Sequence, residues 1–341
     1  MERLGAPWPG AIAVSGGGDS LALMHLLNDW SKRARVAAPV VLTVDHGLQA
    51  GSGAAARKVA RWARDAGLKA QILTWSGAKP VADVEAEARQ ARYRLMGRWC
   101  RAHGIGALYA GHTRDDQAET FLLRLARGSG LDGLSAMRPI SPYPVEDHPA
   151  LLLVRPLIDV ERESLRAHLS VRGQAWIDDP MNADPRFGRV RIREALESLK
   201  SAGLTSARIA DAASHLGRAR EALDAVTAAV LRRACRGEGE MVLVEAAALL
   251  AAPREVGLRA LARLLMAVSA RAYRPRFERL ERLFDAIAAD RLGAGRTLHG
   301  CRIGPARAGH AFFGTDTLVI APENRGAKAK PDRDERRTRG S

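Results

Sequence analysis

Apolar residues in the first half of the chain fall in short runs separated by longer amphipathic stretches. Residues 11–14, 40–44, 71–75 and 107–110 are compact apolar runs of strand length, and 151–154 is a fifth. Between them, 20–33, 54–66, 84–102 and 115–127 repeat their apolar positions at helical spacing. Strand and helix alternating at this interval predict βαβ units, that is, an α/β fold with a parallel sheet and helices on both faces. Residues 187–200 read as a helix leading out of this domain. From about Thr205 the pattern turns mainly helical, over 209–233, 254–270 and 276–289, with Pro275 separating the last two. Strand-like runs at 241–244, 297–303 and 311–320 complete it. The boundaries predicted are 1–200 for the α/β domain, 201–320 for the mainly helical one, and 321–341 for a polar tail. That tail holds Lys328, Lys330, Arg333, Arg336, Arg337 and Arg339 and reads as a disordered basic segment. No internal repeat occurs.

Charge changes the picture more than composition does. Hydrophobic residues make up 47%, enough for two cores in 341 residues, but 53 Lys plus Arg face 38 Asp plus Glu, a formal net charge of +15. A field of that sign attracts polyanions, so nucleic acid is the leading partner class, with an anionic membrane surface behind it. An arginine-rich composition without functional meaning is the competing reading. Cys100, Cys235 and Cys301 are far apart and form no CxxC pair. That removes support for a zinc ribbon, an iron–sulfur cluster or a disulfide framework, and suits a reducing compartment. No apolar run approaches the length needed to span a bilayer, and the first one, 11–14, stops in glycines rather than extending into a signal peptide. A cytoplasmic protein with no membrane association is expected.

Candidate chemistry begins at Val14-Ser15-Gly16-Gly17-Gly18-Asp19-Ser20, where the first strand turns into the first helix. Three glycines without Cβ atoms let backbone N–H groups approach a ligand, and the helix directs its positive end to the same point. Ser15 and Ser20 add hydroxyl donors. A carboxylate facing phosphate repels it unless a cation intervenes, so Asp19 suggests Mg²⁺. No Gly-Lys-Ser/Thr follows, and G-x-G-x-x-G is absent, so neither a Walker A loop nor a dinucleotide fingerprint is present. The plainer reading is a glycine-rich turn with Asp19 or Ser20 as helix N-cap. The loop resembles the SGGxDS loop of N-type ATP pyrophosphatases. In that family it binds the phosphates that leave as pyrophosphate while AMP passes to a substrate oxygen.

A second motif, Gly111-His112-Thr113-Arg114-Asp115-Asp116-Gln117-Ala118-Glu119-Thr120, follows the fourth strand and starts a helix. Its strand end lies on the sheet edge where ligands bind in open α/β sheets. Asp116 and Glu119 share a helix face, as do Asp115 and Glu119. Such carboxylates suit Mg²⁺ or an amine, although Thr113-x-x-Asp116 also reads as an ordinary capping pattern. With its continuation through Phe121-Leu122-Leu123-Arg124-Leu125-Ala126-Arg127-Gly128-Ser129-Gly130-Leu131-Asp132-Gly133-Leu134, the run resembles the HxxDDQxETxLxxLxRGxGxxGL signature of tRNA(Ile)-lysidine synthetases. Val44-Asp45-His46-Gly47-Leu48, the helix from Glu85 to Tyr93, Arg155-Pro156-Leu157, and the stretch from Trp176 through Asn182 to Arg193 are similar to further family segments. The resemblance covers about residues 10–195 and is looser beyond. Thr43, Gln49, Met181 and Val190 depart from the family pattern without removing a phosphate or carboxylate ligand.

The resemblance implies a PP-loop ATPase (Rossmann-like) adenylation domain followed by a tRNA-binding domain. It implies ATP-dependent adenylation of the C2 oxygen of cytidine 34 in the CAU-anticodon isoleucine tRNA, then displacement of AMP by the ε-amine of L-lysine. On it, Ser15, Gly16, Gly17, Gly18, Asp19 and Ser20 bind ATP phosphates, with Val44 and His46 near the adenosine. Asp19, Asp116 and Glu119 are the catalytic acids, Asp19 and Asp116 hold Mg²⁺, and Glu119 orients the lysine amine. Asp45 is as readily a turn cap. Arg89, Arg92, Arg124, Arg127 and Arg193 are candidate RNA contacts, though each alone also suits a solvated helix face. Trp62, Trp75, Trp99 and Trp176 are assigned to the core. Another PP-loop tRNA-modifying enzyme, or a non-catalytic RNA-binding protein on the same fold, are the alternatives. No pattern encodes oligomeric state, and a homodimer is left open.

Overall fold

In the computed structural model the chain divides into two compact units, Met1–Arg218 and Ala219–Ser341. The structure describes residues 4–77, 79–80, 84–145, 148, 150–178, 188–271, 273–306 and 311–323. The basic segment from 324 onward and the family-like positions Met181 and Asn182 lie outside the described residues.

In the first unit, β1 (Ala11–Ala13), β2 (Val40–Asp45), β3 (Lys69–Thr74), β4 (Ala107–Ala110) and β6 (Leu152–Val154) are the five expected strands. They pair in parallel in the order β3-β2-β1-β4-β6. A sixth strand, β5 (Ile140–Pro142), was not predicted: it lies antiparallel against β6 at the sheet edge. Its three residues are too few for a period, and its proline suits only an edge. Alternate strand residues face opposite cores. Ile12, Val41, Tyr109 and Val154 pack on one side, and Ala11, Leu42, Leu108 and Leu153 on the other. The first core receives α1 (Gly18–Ala34), α2 (Ser52–Asp65) and α6 (Arg162–Val171), and the second receives α3 (Val84–Ala102). Trp62 and Trp176 pack against the first core and Trp99 against the second, as expected, whereas Trp75 lies beneath the Lys79 ammonium at 4.1 Å. The sequence pattern also left α6 and the short α5 (Leu131–Leu134) unassigned.

Because β1 lies between β2 and β4, the chain leaves β1 toward one side of the sheet and returns to the other. Loops after β1 and β4 therefore diverge at one switch point, the usual ligand position in such sheets. The two loop ends touch closely. A Cβ on Gly111, just past β4, would lie 2.8 Å from the Asp19 carbonyl oxygen and 3.1 Å from Ser20 Cα. The helices α4 (Arg114–Leu125) and α7 (Gly188–Lys200) pack through Ala118 and Leu196, which share a small core with Ile209 beyond α7.

Helix α8 (Ser206–Ala234) runs from the first unit into the second. The second unit combines α9 (Ala246–Leu250), α10 (Arg254–Ser269) and α11 (Phe277–Ala288) with an antiparallel sheet ordered β7-β8-β11-β10-β9. The strand-like run at 297–303 proves to be a hairpin, β9 (Arg296–Leu298) and β10 (Cys301–Pro305). His299 and Gly300 sit at positive φ, 58° and 79°, between the paired Leu298 and Cys301. The run at 311–320 becomes strand only from Thr317, as β11 (Thr317–Pro322), after a turn at Gly314–Asp316. Strand β8 (Met241–Glu245) was expected. Its partner β7 (Cys235–Glu238), with two charges and a glycine in four residues, was not. Leu258, Leu261, Leu265, Leu283, Phe284, Ile303 and Ile320 are part of this unit's core. Among the described residues, no helix is long and apolar enough to cross a membrane.

Candidate active site

The glycine loop is shaped by its backbone. Gly16 has φ +97°, and a Cβ there would meet Ile177 Cδ1 at 2.8 Å, so only glycine fits without strain. The Ile177 amide donates to the Gly16 carbonyl at 2.9 Å, which ties residues 176–178 over the loop. Gly17 is the N-cap of α1, and no side chain caps it; neither Asp19 nor Ser20 has that role. The Ser20 hydroxyl instead accepts from the Ser15 amide at 3.2 Å and donates to the Gly17 carbonyl at 2.9 Å. Uncapped N–H groups at a helix start, lined by glycine, form a cradle for phosphate oxygens.

Asp116 meets both expectations at once, one with each oxygen. Its Oδ2 completes a capping box, accepting from the Thr113 amide at 2.8 Å and the Thr113 hydroxyl at 3.0 Å. Its Oδ1 faces the loop after β1. There the three acids come together around Arg162, at the start of α6. Arg162 Nε donates to Asp19 Oδ2 at 3.0 Å, Nη1 to Glu119 Oε1 at 3.2 Å, and Nη2 to Asp116 Oδ1 at 3.3 Å. Backbone contacts fix that arginine: the Arg162 amide donates to Asp115 Oδ2 at 2.8 Å, and the Arg114 amide to the Val160 carbonyl at 2.9 Å. From α7, Arg193 Nε donates to Glu119 Oε1 at 2.6 Å, and Arg189 Nη1 lies 3.7 Å from Asp116 Oδ1. Three carboxylates thus face three guanidinium groups.

Electrostatics separate the acids. Burial pushes the Asp19 carboxyl above its ordinary value, only partly opposed by Arg162 and reinforced by the neighbouring Asp116 charge. Burial pushes Asp116 the same way, but Arg162, the Thr113 amide, His112 and Arg189 outweigh it, and the net shift is downward. Arg162 is held firmly protonated: burial opposes its charge, and Asp116, Glu119 and Asp19 more than compensate. His112 precedes α4, one residue before its Thr113 cap. Burial, with Arg155, Arg89 and Arg189 nearby, pushes it down to about 4 against the pull of Asp116, leaving a neutral imidazole near pH 7. Its buried Nδ1 has no hydrogen-bond partner among the described residues.

The remaining predicted residues occupy varied settings. Asp45 Oδ1 accepts from Ser52 Oγ at 2.7 Å and from the Gly47 amide at 3.2 Å, the turn-capping role. Val44 packs toward the second core, and His46 Nδ1 accepts from the Leu48 amide at 3.2 Å. Arg89 donates to the Tyr93 hydroxyl at 3.2 Å. Arg92 lies on the same helix, α3. Arg124 donates to the Gly133 carbonyl at 2.8 Å, while Arg127 is exposed. Arg193 stands on Glu119 inside the cluster rather than on an outer helix face. Arg162 escaped sequence reasoning altogether. Its one available signal was its place a few residues after the Arg155-Pro156-Leu157 segment.

Among the described residues, no group of three or more His, Cys, Asp or Glu side chains is arranged to hold a metal ion. The oxygens turned toward Arg162 are nevertheless hard carboxylate donors beside a phosphate cradle, a set that fits Mg²⁺.

Comparison with known proteins agrees with this geometry. A family profile described as a PP-loop domain matches residues 9–199. A tRNA(Ile)-lysidine synthase of Ruegeria pomeroyi is 38% identical over 85% of this chain and 70% of its own length. That of Wolbachia pipientis wMel is 34% identical over 92% and 71%, respectively. That of Methylobacterium sp. (strain 4-46) is 43% identical over 84% and 83%. The match extends well past the PP-loop domain, and with it the chain belongs to the tRNA(Ile)-lysidine synthase family.

Proposed function

We infer that the chain makes lysidine at cytidine 34 of the CAU-anticodon isoleucine tRNA, using ATP and L-lysine in the cytoplasm. The observation that carries this is the convergence of Asp19, Asp116 and Glu119 beside the uncapped glycine loop. In the first step the cytosine C2 oxygen attacks the α-phosphorus of ATP. The α–β bridging P–O bond breaks and pyrophosphate departs against residues 15–18 and Ser20. In the second, the lysine ε-amine adds at C2, the C2–O bond breaks, AMP leaves with that oxygen, and a proton is released. AMP is a far better leaving group than a carbonyl oxygen, which is why the first step precedes the second.

Asp19 and Asp116 are the residues that would hold Mg²⁺, which when bound neutralises charge on the departing pyrophosphate. Glu119, buried and fixed by Arg193, orients the amine and accepts its hydrogen bond. Val44 and His46 border the adenosine. Arg89, Arg92, Arg124 and Arg127 add positive charge for the RNA backbone. An anticodon base splayed from its loop suits a pocket at this sheet edge.

Thiol chemistry finds no support: burial pushes the Cys100 thiol up to about 12 and Cys235 to about 11, away from reactive thiolate. The test is incorporation of labelled lysine into isoleucine tRNA carrying C34. Label that depends on ATP and vanishes when C34 is changed to U is expected. Pyrophosphate release with tRNA but without lysine transfer would replace lysine by another nucleophile.

A further inference from the structure

Arg162 uses every edge of its guanidinium on a different acid: Nε on Asp19, Nη1 on Glu119, Nη2 on Asp116. The acids are deeply set, with side-chain exposures of 22%, 1% and 9%, and Arg162 itself is 19% exposed. Asp116 has already committed Oδ2 to the Thr113 cap, so Oδ1 is the oxygen it can offer a cation, and Arg162 holds it. Glu119 gives Oε1 to Arg162 and Arg193 together. Three carboxylates this close repel one another unless a positive charge lies among them.

On these grounds, and resting on the metal reading above, we propose that Arg162 is a built-in counter-ion. It occupies the cation position among Asp19, Asp116 and Glu119 before nucleotide arrives, and it must vacate that position for a divalent ion to bind. A guanidinium within hydrogen-bond distance of all three acids fills the space between them that a divalent ion would take. Arg162 therefore keeps the acids assembled in the free protein and weakens their affinity for a bare cation, so that metal enters chiefly with the phosphates that balance it. The released guanidinium then lies within reach of the phosphate loop, where its charge is again matched. Arg189 and Arg193 also reach Asp116 Oδ1 and Glu119 Oε1, but each comes from α7 onto one acid, so neither takes the place among all three that Arg162 fills.

The experiment measures Mn²⁺ binding to the nucleotide-free chain by electron paramagnetic resonance of the free ion, in wild type, Arg162→Met and Arg162→Lys. Removing one unit charge at contact distance is expected to tighten Mn²⁺ binding by about tenfold or more in Arg162→Met, with Arg162→Lys between it and wild type. Equal or weaker binding by a folded Arg162→Met overturns the inference. Should that variant fail to fold, the wild-type Arg162 Nε–H resonance, identified by its loss in Arg162→Lys, decides instead. It is expected to shift when Mg²⁺ and a non-hydrolysable ATP analogue are added together, and an unchanged signal overturns the inference. Absence of Mn²⁺ binding by all three proteins, with ATP as well as without, removes the metal reading itself and the inference with it.

Discussion

Glu119, with 1% of its side chain exposed, shares Oε1 between Arg193 Nε at 2.6 Å and Arg162 Nη1 at 3.2 Å. Two guanidinium groups thus satisfy this buried carboxylate with charge-assisted hydrogen bonds.

Glu119→Gln keeps the shape and removes the charge proposed to orient the amine. Labelled lysine incorporation is expected to fall about 10²-fold, the usual effect of a misplaced reactant. Pyrophosphate release in the presence of tRNA persists. Equal loss in both assays would mean that Glu119 serves the first step instead.

Gly16 and Gly17 separate folding from binding. Gly16→Ala combines φ +97° with a 2.8 Å clash on Ile177, and is expected to cost about 2 kcal/mol or more in urea denaturation. A Cβ at Gly17 meets nothing closer than 3.7 Å, and its backbone is extended, so Gly17→Ala costs about 1 kcal/mol or less. ATP titration is nevertheless expected to show weaker binding in Gly17→Ala, because the methyl group would stand in the phosphate cradle. Undiminished ATP affinity in that variant would move the phosphates elsewhere.

His112 gives the site a pH signature. Its folded value, pushed down to about 4 by burial, lies below the ordinary imidazole value, so the unfolded chain binds more protons between them. Stability is therefore expected to fall as pH drops from about 6.5 toward 4, by at most about 3 kcal/mol, and to lose nothing further to His112 below that window. Urea denaturation across this range should show a shallower slope for His112→Gln than for wild type. An unchanged slope would assign the acid sensitivity to other groups.

Asp115 contributes by holding the start of α6 rather than by chemistry, since its Oδ2 accepts the Arg162 amide. Asp115→Ala is expected to lose about 1 kcal/mol of stability and to speed hydrogen exchange at that amide. Asp115→Asn, which retains an acceptor oxygen, should preserve protection. Protection unaltered in the alanine variant would leave Arg162 positioned by packing alone.

Both motifs were legible because their chemistry is local. Three glycines before Asp19-Ser20 sit at one strand end, and Asp116 and Glu119 stand one helical turn apart. The parallel strands β1, β4 and β6 were legible for a similar reason, as short apolar runs, whereas β3 is only half-buried, with Lys69, Gln71 and Thr74 exposed. Arg162 was not, because a single arginine among many has no spacing to distinguish it, and it reaches Asp19 across 143 residues of chain. Arg193 was visible only as positive charge, and a salt bridge to a buried acid cannot be told from an RNA contact without knowing what lies opposite. The β9–β10 hairpin hid within one apolar run because its turn, His299-Gly300, carries just one residue that marks a turn.

The close approach of Gly111 to the Asp19 carbonyl has a mechanical consequence. Backbone against backbone leaves no compliant side chain between the two motifs, so the head of α1 and the end of β4 form one stiff floor. Side-chain adjustment at the site is therefore expected of the long Arg162 at the head of α6, which reaches all three acids. The carboxylates act as the fixed jaw of a vice, and Arg162 as the jaw that travels.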